Sequence, residues 1–418
     1  MNSSTTDPYD VVVIGGGPAG ATAATFLQRW GRRCVLVEKA EFPRYHIGES
    51  LIPHTYGTLE RLGLLPKLRA CGFPKKYSVR FVSPSGHTSD PFYFSETIEG
   101  EASQTWQVER STFDQLCLDN AREAGVEVRM ATEVLEVIFR NGRAVGVRAR
   151  SEQGAIEELA GEVIVDASGH HSIIGTQLGL RGPVPGLDKA TMWSYYEGGE
   201  RLEGIDAGET TVFMRRDGGW FWYIPLPDDI VSVGLVADPA NAGGSPDSLE
   251  EKYVREVEAC PPLCDRLRQA VRTAPVRGIP RMAYQNSRTA GDGWVMVGDA
   301  AAFLDPIYSS GLLLALASAE MAAACVHESM EAGDLSGEAL RAFTEPLGRG
   351  IEVMRRLIHA FYDPAFSFRE FVNRFPQHRA ALIDCLVGDV IEKDMSAFLE
   401  SLATMSTPPV SLSAGRAN

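Results

Sequence analysis

Hydrophobic positions at the start of the chain come in blocks separated by a glycine-rich segment. Residues 9–14 are mostly β-branched, which is typical of a strand buried on both faces of a parallel sheet. A glycine-rich turn at 15–20 and an alanine-rich helical stretch to about Trp30 follow, and residues 34–37 form a second apolar strand. This order of strand, turn, helix and strand predicts an α/β fold built on a doubly wound parallel sheet.

The later pattern predicts how the rest of the chain is organised. The segments that continue the first sheet are a helix at 116–125, a strand at 126–128, a hairpin turn at Asn141-Gly142 and buried strands at 163–166 and 294–297. Short strands at 191–237 predict a separate inserted sheet, which is followed by a loop at 238–248. Four units are predicted. A discontinuous α/β domain takes residues 1–190 and 275–330, and an inserted β-sheet domain for the substrate takes residues 191–274. A helical C-terminal region at 331–405 and a flexible tail at 406–418 follow.

The turn after the first strand has the spacing of a dinucleotide-binding loop. Gly15, Gly17 and Gly20 follow the G-x-G-x-x-G pattern, in which glycine permits a tight turn, close approach of the backbone to a pyrophosphate, and packing of the helix on the strand. Ala19 opens the helix within this loop, and Glu38, at the end of the second strand, can accept a hydrogen bond from a ribose hydroxyl. An acidic residue at that position favours FAD or NAD over NADP.

Composition and charge exclude several classes of partner. The chain has 418 residues with 40 lysines and arginines against 55 aspartates and glutamates, a net charge of −15. Such a surface repels nucleic acid and acidic membranes. The seven cysteines are scattered without the spacing of a metal site, which predicts no bound metal and reduced thiols in the cytoplasm. The polar start of the chain, residues 1–8, lacks the features of a signal peptide, and the most apolar helix, at 311–326, is too short to predict a membrane span.

Three separated segments resemble the FAD-binding fold of the aromatic hydroxylase superfamily. They are the glycine turn at 15–20, Asp-Ala-Ser-Gly at 166–169 and Gly-Asp-Ala at 298–300. The resemblance covers about residues 9–330 and implies that FAD is the cofactor. It also implies that the further residues in contact with FAD are Ser50, Arg110, Asp166, Asp299, Pro306 and Gly311. The isoalloxazine ring would lie near Pro306 and Gly311.

Within that superfamily the sequence resembles the flavin-dependent halogenases. Residues 220–225 match the W-x-W-x-I-P pattern of that family, and residues 42–53 match its loop after the second strand. The same spacing also fits an ordinary strand, because Trp220, Trp222 and Ile224 share one face and such stripes usually lie in a core. The two interpretations are compatible. The resemblance implies that the tryptophans form a substrate-side wall, which keeps the substrate away from the flavin.

The resemblance implies that Lys76 is the catalytic residue. It lies four residues after Gly72, where this family keeps a lysine. That amine holds an electrophilic halogen by hydrogen bonding or forms a haloamine, and partial desolvation would lower its pKa. Lys75 is the competing choice, since neighbours on a strand face opposite ways, and without the other motifs both lysines would be interpreted as solvated surface residues.

Residues 305–311 resemble the halide and flavin loop of the family, which makes Ser310 and Gly311 the predicted contacts of a chloride or bromide ion. The alternative is that a serine caps the following helix. Tryptophan halogenases carry a catalytic glutamate where this chain has Tyr308, which would form part of the substrate-side wall. The absence of that carboxylate favours an electron-rich phenol or pyrrole as the substrate.

The implied reaction needs reduced FAD from a separate flavin reductase, O₂ and a halide, and it yields a hypohalous species that reaches Lys76. Some relatives act on substrates tethered to a carrier protein. Residues 341–379 hold seven arginines and four acidic residues, a local charge of +3 that could attract an acidic carrier, although solvated helix faces are the simpler explanation. Three alternatives remain open from the sequence: an aromatic hydroxylase, a reductase of the geranylgeranyl type, and an FAD-binding module without activity.

Overall fold

Strands and helices are mixed through the first three quarters of the chain, and helices make up most of the rest, in the computed structural model, which describes residues 8–239 and 248–410. The strands are β1 (Tyr9–Ile14), β2 (Cys34–Val37), β3 (Lys75–Lys76), β4 (Ser78–Val82), β5 (Phe92–Tyr93), β6 (Thr105–Trp106), β7 (Glu127–Arg129), β8 (Thr132–Arg140), β9 (Arg143–Ser151), β10 (Ile156–Asp166), β11 (Arg181–Pro183), β12 (Ala190–Glu197), β13 (Thr210–Met214), β14 (Trp220–Pro225), β15 (Ile230–Ala237), β16 (Val271–Arg272), β17 (Arg277–Ile279), β18 (Tyr284–Asn286), β19 (Ala290–Gly291), β20 (Trp294–Met296) and β21 (Ala302–Phe303). The α-helices are α1 (Pro18–Arg29), α2 (Thr55–Arg61), α3 (Leu65–Ala70), α4 (Arg110–Glu123), α5 (Ile173–Gln177), α6 (Leu249–Glu258), α7 (Pro261–Arg266), α8 (Ser310–Ala332), α9 (Gly337–Leu340), α10 (Thr344–Tyr362), α11 (Phe368–Arg374), α12 (Arg379–Val387) and α13 (Ser396–Ala403).

The first sheet has the spatial order β19-β20-β10-β1-β2-β7, and β8 and β9 extend it as a hairpin. β1 runs parallel to both β2 and β10, and Val11, Val12 and Val13 are fully buried. α1 and α8 pack over one face through small alanine side chains, which let the two helices approach closely. The predicted α/β fold with a doubly wound sheet is therefore confirmed.

α8 is long and apolar enough to cross a membrane by length and composition alone. In the structure, 56% of the most apolar 18-residue stretch of α8 is buried inside the protein, where the helix packs against α1. Its apolarity is therefore explained by its place in the core of the first domain.

The second sheet has the order β16-β12-β15-β14-β13-β4-β5, with β17 beside β12. Alternate residues of β14 face two different cores: Trp220, Trp222 and Ile224 pack against the C-terminal helices, whereas Phe221 and Tyr223 pack toward α6 and α7. This sheet is larger than the predicted insert at 191–274, because β4 and β5 join it from residues 78–93. Thr210 of β13 pairs in parallel with Val79 of β4, and such distant pairing leaves no trace in local periodicity.

Several local predictions agree with the structure. Asn141 and Gly142 both have positive φ, as the predicted hairpin turn requires. α4 begins at Arg110, six residues before the predicted helix start. The first turn is mostly polar, so the pattern of apolar residues gave no signal for it. Residues 331–405 are largely helical as predicted. Most of the predicted loop at 238–248 and of the predicted tail at 406–418 lies outside the described residues.

Candidate functional site

A deep cavity of about 540 Å³ lies where the two sheets meet. Its lining takes Gly15, Gly17 and Glu38 from the first sheet and Trp220 and Trp222 from the second. Most of the residues singled out in the sequence surround it, although they lie up to about 300 positions apart in the chain. The fold therefore brings a dinucleotide-binding turn and an aromatic wall to one cavity.

The glycine turn leaves a backbone cradle at one part of this cavity. Gly15 has a φ of +100°, and a Cβ atom there would lie 2.5 Å from the carbonyl oxygen of Ala167. A Cβ atom at Gly20 would lie 1.9 Å from the carbonyl oxygen of Gly15. Gly17 precedes α1 without any side-chain cap, and the first turn of that helix has no acidic residue. Its free N–H groups and the helix dipole suit a pyrophosphate.

Glu38 is held rigidly beside this turn. Its Oε2 atom accepts a hydrogen bond of 2.6 Å from the Gly16 amide, and its Oε1 atom accepts one of 2.8 Å from the Ala40 amide. The side chain is buried and lines the cavity. Each carboxylate oxygen keeps a further lone pair that can accept a hydroxyl hydrogen bond.

Arg110 ties α4 to the loop at residues 42–53. Its guanidinium makes a bidentate ion pair with Asp114, with N–O distances of 2.8 and 3.0 Å. Its Nη1 atom also donates to the carbonyl oxygen of Ile47 at 2.6 Å. These contacts fix the cation in the cavity wall and set the path of the loop that carries Ser50.

The two predicted cofactor-contacting aspartates occupy different positions. Asp299 lines the cavity, with its carboxylate 3.6 Å from Nε2 of His170. Asp166 does not line it, because its two oxygens accept hydrogen bonds from the amides of Ser168 and Ile174 at 3.0 and 2.8 Å. The turn at 167–169 does line the cavity. Asp166 therefore shapes this turn and lies behind it.

Lys76 is completely buried, whereas its neighbour Lys75 is exposed. The Lys76 Nζ atom donates to Oγ of Ser50 at 2.8 Å and to the carbonyl oxygen of Leu51 at 3.2 Å. Burial lowers the pKa of Lys76 to about 7, and only the more distant charge of Glu209 acts against that shift. Ser50 lines the cavity, so the Lys76 amine lies behind the cavity wall and is separated from the cavity by the Ser50 hydroxyl group.

Burial of the Lys76 amine lowers the free energy of unfolding, because the amine binds a proton more weakly in the folded chain than in the unfolded chain. With the pKa lowered from 10.5 to about 7, the penalty is largest below pH 7 and disappears as the pH rises past 10.5. We expect Lys76→Met to stabilise the fold at pH 7 by roughly 2 kcal/mol, after allowing for its lost hydrogen bonds. Urea unfolding of both proteins between pH 6.5 and pH 10.5 measures this. A gain that grows with pH would contradict the argument.

The segment at 305–311 brings a second helix start to the cavity. α8 begins at Ser310 after Ser309, whose φ is +53° and whose side chain makes no capping hydrogen bond. Pro306, Ser309 and Gly311 line the cavity, and Ser310 is buried next to them. No serine caps the helix through its side chain, so the amides of its first turn remain suited to a small anion.

Trp220 and Trp222 line the cavity as the sequence predicts, but Tyr308 does not. Tyr308 is buried behind it, where its hydroxyl donates to the carbonyl oxygen of Leu357 at 3.4 Å. Its placement in the substrate-side wall therefore needs correction: α10 packs against the tyrosine and holds it in the core. The indole N–H of Trp220 donates to the hydroxyl of Tyr362 on the same helix, at 2.8 Å.

Sequence reasoning missed a buried carboxyl group in this cavity. Glu49, next to Ser50, is 3% exposed and accepts a hydrogen bond of 2.6 Å from the hydroxyl of Tyr195. Burial raises the pKa of Glu49 to about 7. Its position inside the matched loop at 42–53 could have drawn attention to it. Nothing local could have revealed its partner, because Tyr195 lies on the other sheet, 146 residues away.

Comparisons with known proteins agree on one family. Residues 8–324 match the FAD binding domain family. The 1H-pyrrole-2-carbonyl-[peptidyl-carrier protein] chlorinase of Pseudomonas fluorescens is 31% identical, over 91% of this chain and 89% of its own. The tryptophan 2-halogenase of Chondromyces crocatus is 34% identical, over 84% of this chain and 67% of its own. The structure of the myxobacterial chondrochloren halogenase CndH superposes with a TM-score of 0.81 at 31% identity, covering 96% of this chain and 97% of that one. The chain therefore belongs to the FAD binding domain family and, within it, to the flavin-dependent halogenases, which use FAD and a halide ion to halogenate aromatic compounds.

Proposed function

We propose that this halogenase chlorinates or brominates an electron-rich pyrrolic or phenolic ring carried on a carrier protein, and that Lys76 delivers the halogen. The observation that carries the proposal is the buried amine of Lys76, which hydrogen-bonds to Ser50 in the wall of the cavity. Among the described residues no carboxylate forms an ion pair with it. The amine already donates to Ser50 and Leu51, and as an ammonium group it keeps a third N–H for a reactive oxidised halogen.

The residues around the cavity fit FAD. The cradle at Gly15, Gly17 and Gly20 accepts the pyrophosphate, with Ala19 in the first turn of α1, and Glu38 accepts a ribose hydroxyl. Arg110, Asp299, Ser50, Pro306 and Gly311 line the rest of the same cavity, and Asp166 contributes by shaping the turn at 167–169. Bound FAD, once reduced by a separate flavin reductase, would supply two of the four electrons that O₂ accepts, and the halide would supply the other two on becoming hypohalous acid.

Two elements act on the halogen itself. The amides at the start of α8, at Ser310 and Gly311, hold the chloride or bromide ion, since this helix start lacks a side-chain cap and an acidic first turn. Lys76 then holds the oxidised halogen, by hydrogen bonding or as a haloamine, next to the aromatic ring. Trp220 and Trp222 form the wall that excludes the ring from the flavin part of the cavity.

The choice of an electron-rich ring rests on Tyr308 and on the relatives. Tyr308, at the place of the tryptophan halogenases' glutamate, is buried away from the cavity and offers the substrate no carboxylate. The chain also covers 89% of the pyrrole-carrier chlorinase but only 67% of the tryptophan 2-halogenase. Both observations favour a pyrrole or phenol, which needs little help to attack an electrophilic halogen.

The basic C-terminal stretch supports a carrier protein less strongly than its charge predicts. Five of its seven arginines are paired with carboxylates in the structure, at positions 341, 349, 355, 356 and 379. Arg369 and Arg374, both exposed on α11, have no such pair with any residue that the structure describes. The similarity to a carrier-dependent chlorinase is therefore the stronger support for a tethered substrate.

The direct test combines the enzyme with FAD, a flavin reductase, NADH, O₂ and either chloride or bromide. Two substrates are compared, pyrrole-2-carbonyl thioester on a peptidyl carrier protein and free resorcinol, with halogenation followed by mass spectrometry. We expect halide-dependent product from the carrier-bound pyrrole. Equal turnover of free resorcinol would contradict the need for a carrier, and a hydroxylated product would contradict halogenation.

Glu38→Gln tests the proposed FAD site. The variant places an amide next to the Gly16 and Ala40 N–H groups and removes a charged acceptor, which is worth about 1.5–3 kcal/mol. We expect FAD to bind roughly 10- to 100-fold more weakly, as measured by flavin fluorescence titration. Glu41→Gln, an exposed change in the following loop, is the matched control. Unchanged FAD affinity in Glu38→Gln would remove Glu38 from the site.

A further inference from the structure

The cavity lining contains four carboxyl groups, and only one of them faces the aromatic wall. Glu38 serves the glycine turn, Glu133 is ion-paired with Arg150 and Asp299 lies near His170. Glu49 instead contacts strands of the second sheet. Among the described residues it is therefore the carboxyl group placed to act on a ring held by the tryptophans.

Glu49 is connected to the two strands next to that wall, β12 and β15. The hydroxyl of Tyr195 on β12 donates to its Oε1 atom at 2.6 Å, and the hydroxyl of Ser232 on β15 also hydrogen-bonds to its carboxyl group. The indole N–H of Trp222 donates to the same Ser232 hydroxyl at 3.0 Å. The carboxyl group is thus fixed against the wall by hydroxyl groups; within the described part of the chain it has no ion pair, and the nearby charge of Arg110 favours its ionised form.

A chain of hydroxyl groups leads from Glu49 to the surface. The hydroxyls of Tyr195 and Tyr45 are 3.0 Å apart, and because Tyr195 donates its one hydrogen to Glu49, Tyr45 donates to Tyr195. Tyr45 is 44% exposed, and the exposed guanidinium of Arg277 lies 4.2 Å from its ring centre. The indole N–H of Trp193 donates to the Tyr45 hydroxyl at 2.5 Å and holds it in place. Hydrogen-bonded groups of this kind can pass a proton between a buried site and solvent.

Aromatic halogenation by hypohalous acid releases a proton that such an acceptor can take up. The ring carbon forms a bond to the halogen, the bond between halogen and oxygen breaks, and the released hydroxide takes one proton to become water. The ring carbon then loses its hydrogen as a proton, and the C–H electron pair returns to the ring. Lys76 as an ammonium group can supply the first proton, but the second needs a base near the ring.

We propose that the Glu49 carboxylate accepts the proton that the aromatic ring loses, and that Tyr195 and Tyr45 carry this proton to the protein surface. The assignment rests on the proposed function. It supplies a carboxylate base, which this chain lacks at Tyr308, where tryptophan halogenases have a glutamate. Burial raises the pKa of Glu49 to about 7, so the group can both take up and release a proton near neutral pH. Tyr195 and Tyr45 are relay residues, and Glu49 is the base.

The test uses Glu49→Gln and whichever substrate the intact enzyme halogenates, with hydrogen or deuterium at the halogenated carbon. Glutamine keeps the shape and accepts the Tyr195 hydrogen bond but takes no proton. We expect FAD binding and the trapping of hypohalous acid to stay close to the unaltered enzyme. Halogenation in a single turnover should fall roughly 10²-fold, and a primary deuterium isotope effect should appear.

Tyr195→Phe separates the relay from the base. It should leave the single-turnover rate nearly unchanged while lowering the steady-state turnover, because the proton leaves Glu49 slowly. Tyr196→Phe is the matched control, since this neighbour lies on the other face of β12, in a different core. It should change neither rate.

Each contrary result has a separate meaning. A Glu49→Gln enzyme that halogenates at the original rate without an isotope effect overturns the assignment. So does a parallel loss of hypohalous acid, which would place Glu49 in halide oxidation. An unaltered enzyme that forms no hypohalous acid, or halogenates neither substrate, overturns the proposed function and this assignment with it.

Discussion

The Lys76→Met enzyme is expected to bind FAD normally, oxidise halide and form almost no halogenated product. Methionine fills the buried site between Ser50 and Phe94 but has no N–H group to hold or carry the halogen. Loss of a fixed hydrogen-bond donor at the reacting atoms costs about 10²–10³ in kcat. Since Lys76 also positions the halogen, we expect a loss of at least roughly 10³-fold.

The measurement is product formation by mass spectrometry, together with flavin absorbance and a chemical trap for hypohalous acid in solution. Lys75→Met is the matched control, because it removes the same amine from the exposed face of the same short strand. It should leave turnover unchanged. Product formation by Lys76→Met at more than a tenth of the normal rate would show that hypohalous acid reaches the ring without the lysine.

Gly20→Ala is expected to abolish FAD binding and to destabilise the first domain. The added Cβ atom would lie 1.9 Å from the carbonyl oxygen of Gly15, far inside van der Waals contact, and the atom it meets belongs to the backbone. Relief requires α1 to move away from β1, which opens the turn that would receive the pyrophosphate. Overpacking of this kind costs about 1–3 kcal/mol, and more where the backbone must shift.

FAD titration and thermal unfolding of the FAD-free protein test the two parts of this prediction. Gly348→Ala, on the exposed side of α10, provides the control, because no atom lies within 4 Å of its added Cβ and its φ is not positive. That variant should gain about 0.5–1 kcal/mol from the better helix propensity of alanine. Normal FAD affinity in Gly20→Ala would mean that the turn does not hold the cofactor.

These two experiments separate the two halves of the cavity. Gly20→Ala acts on the dinucleotide turn, whereas Lys76→Met acts on the chemistry beyond the flavin. A protein that fails the first loses all reactions of its cofactor. A protein that fails only the second still consumes O₂ and halide but wastes the oxidised halogen.

The sequence by itself determined the elements whose signals are local. The strand at 9–14, the glycine turn and Glu38 lie within one short βαβ unit, so their spacing alone predicts a dinucleotide site. The motifs around Ser50, Lys76 and Trp220 likewise led to the halogenase family, which the comparisons confirm. The hairpin turn at Asn141-Gly142 followed from the φ angles that those residues tolerate.

Tertiary structure alone decided which of these side chains meet and what surrounds them. Burial of Lys76 and exposure of Lys75 depend on a two-residue strand paired with residues 105–106, for which periodicity gives no signal. Tyr308 does not line the cavity because α10 packs over it. Asp166 lies behind the cavity, where its two carboxylate oxygens accept hydrogen bonds from nearby amides. Glu49 meets Tyr195 only because the loop at 42–53 packs against β12 of the second sheet. Hydrogen bonding and desolvation across such distances depend on the whole fold, and they set the protonation of the groups that we propose carry out the chemistry.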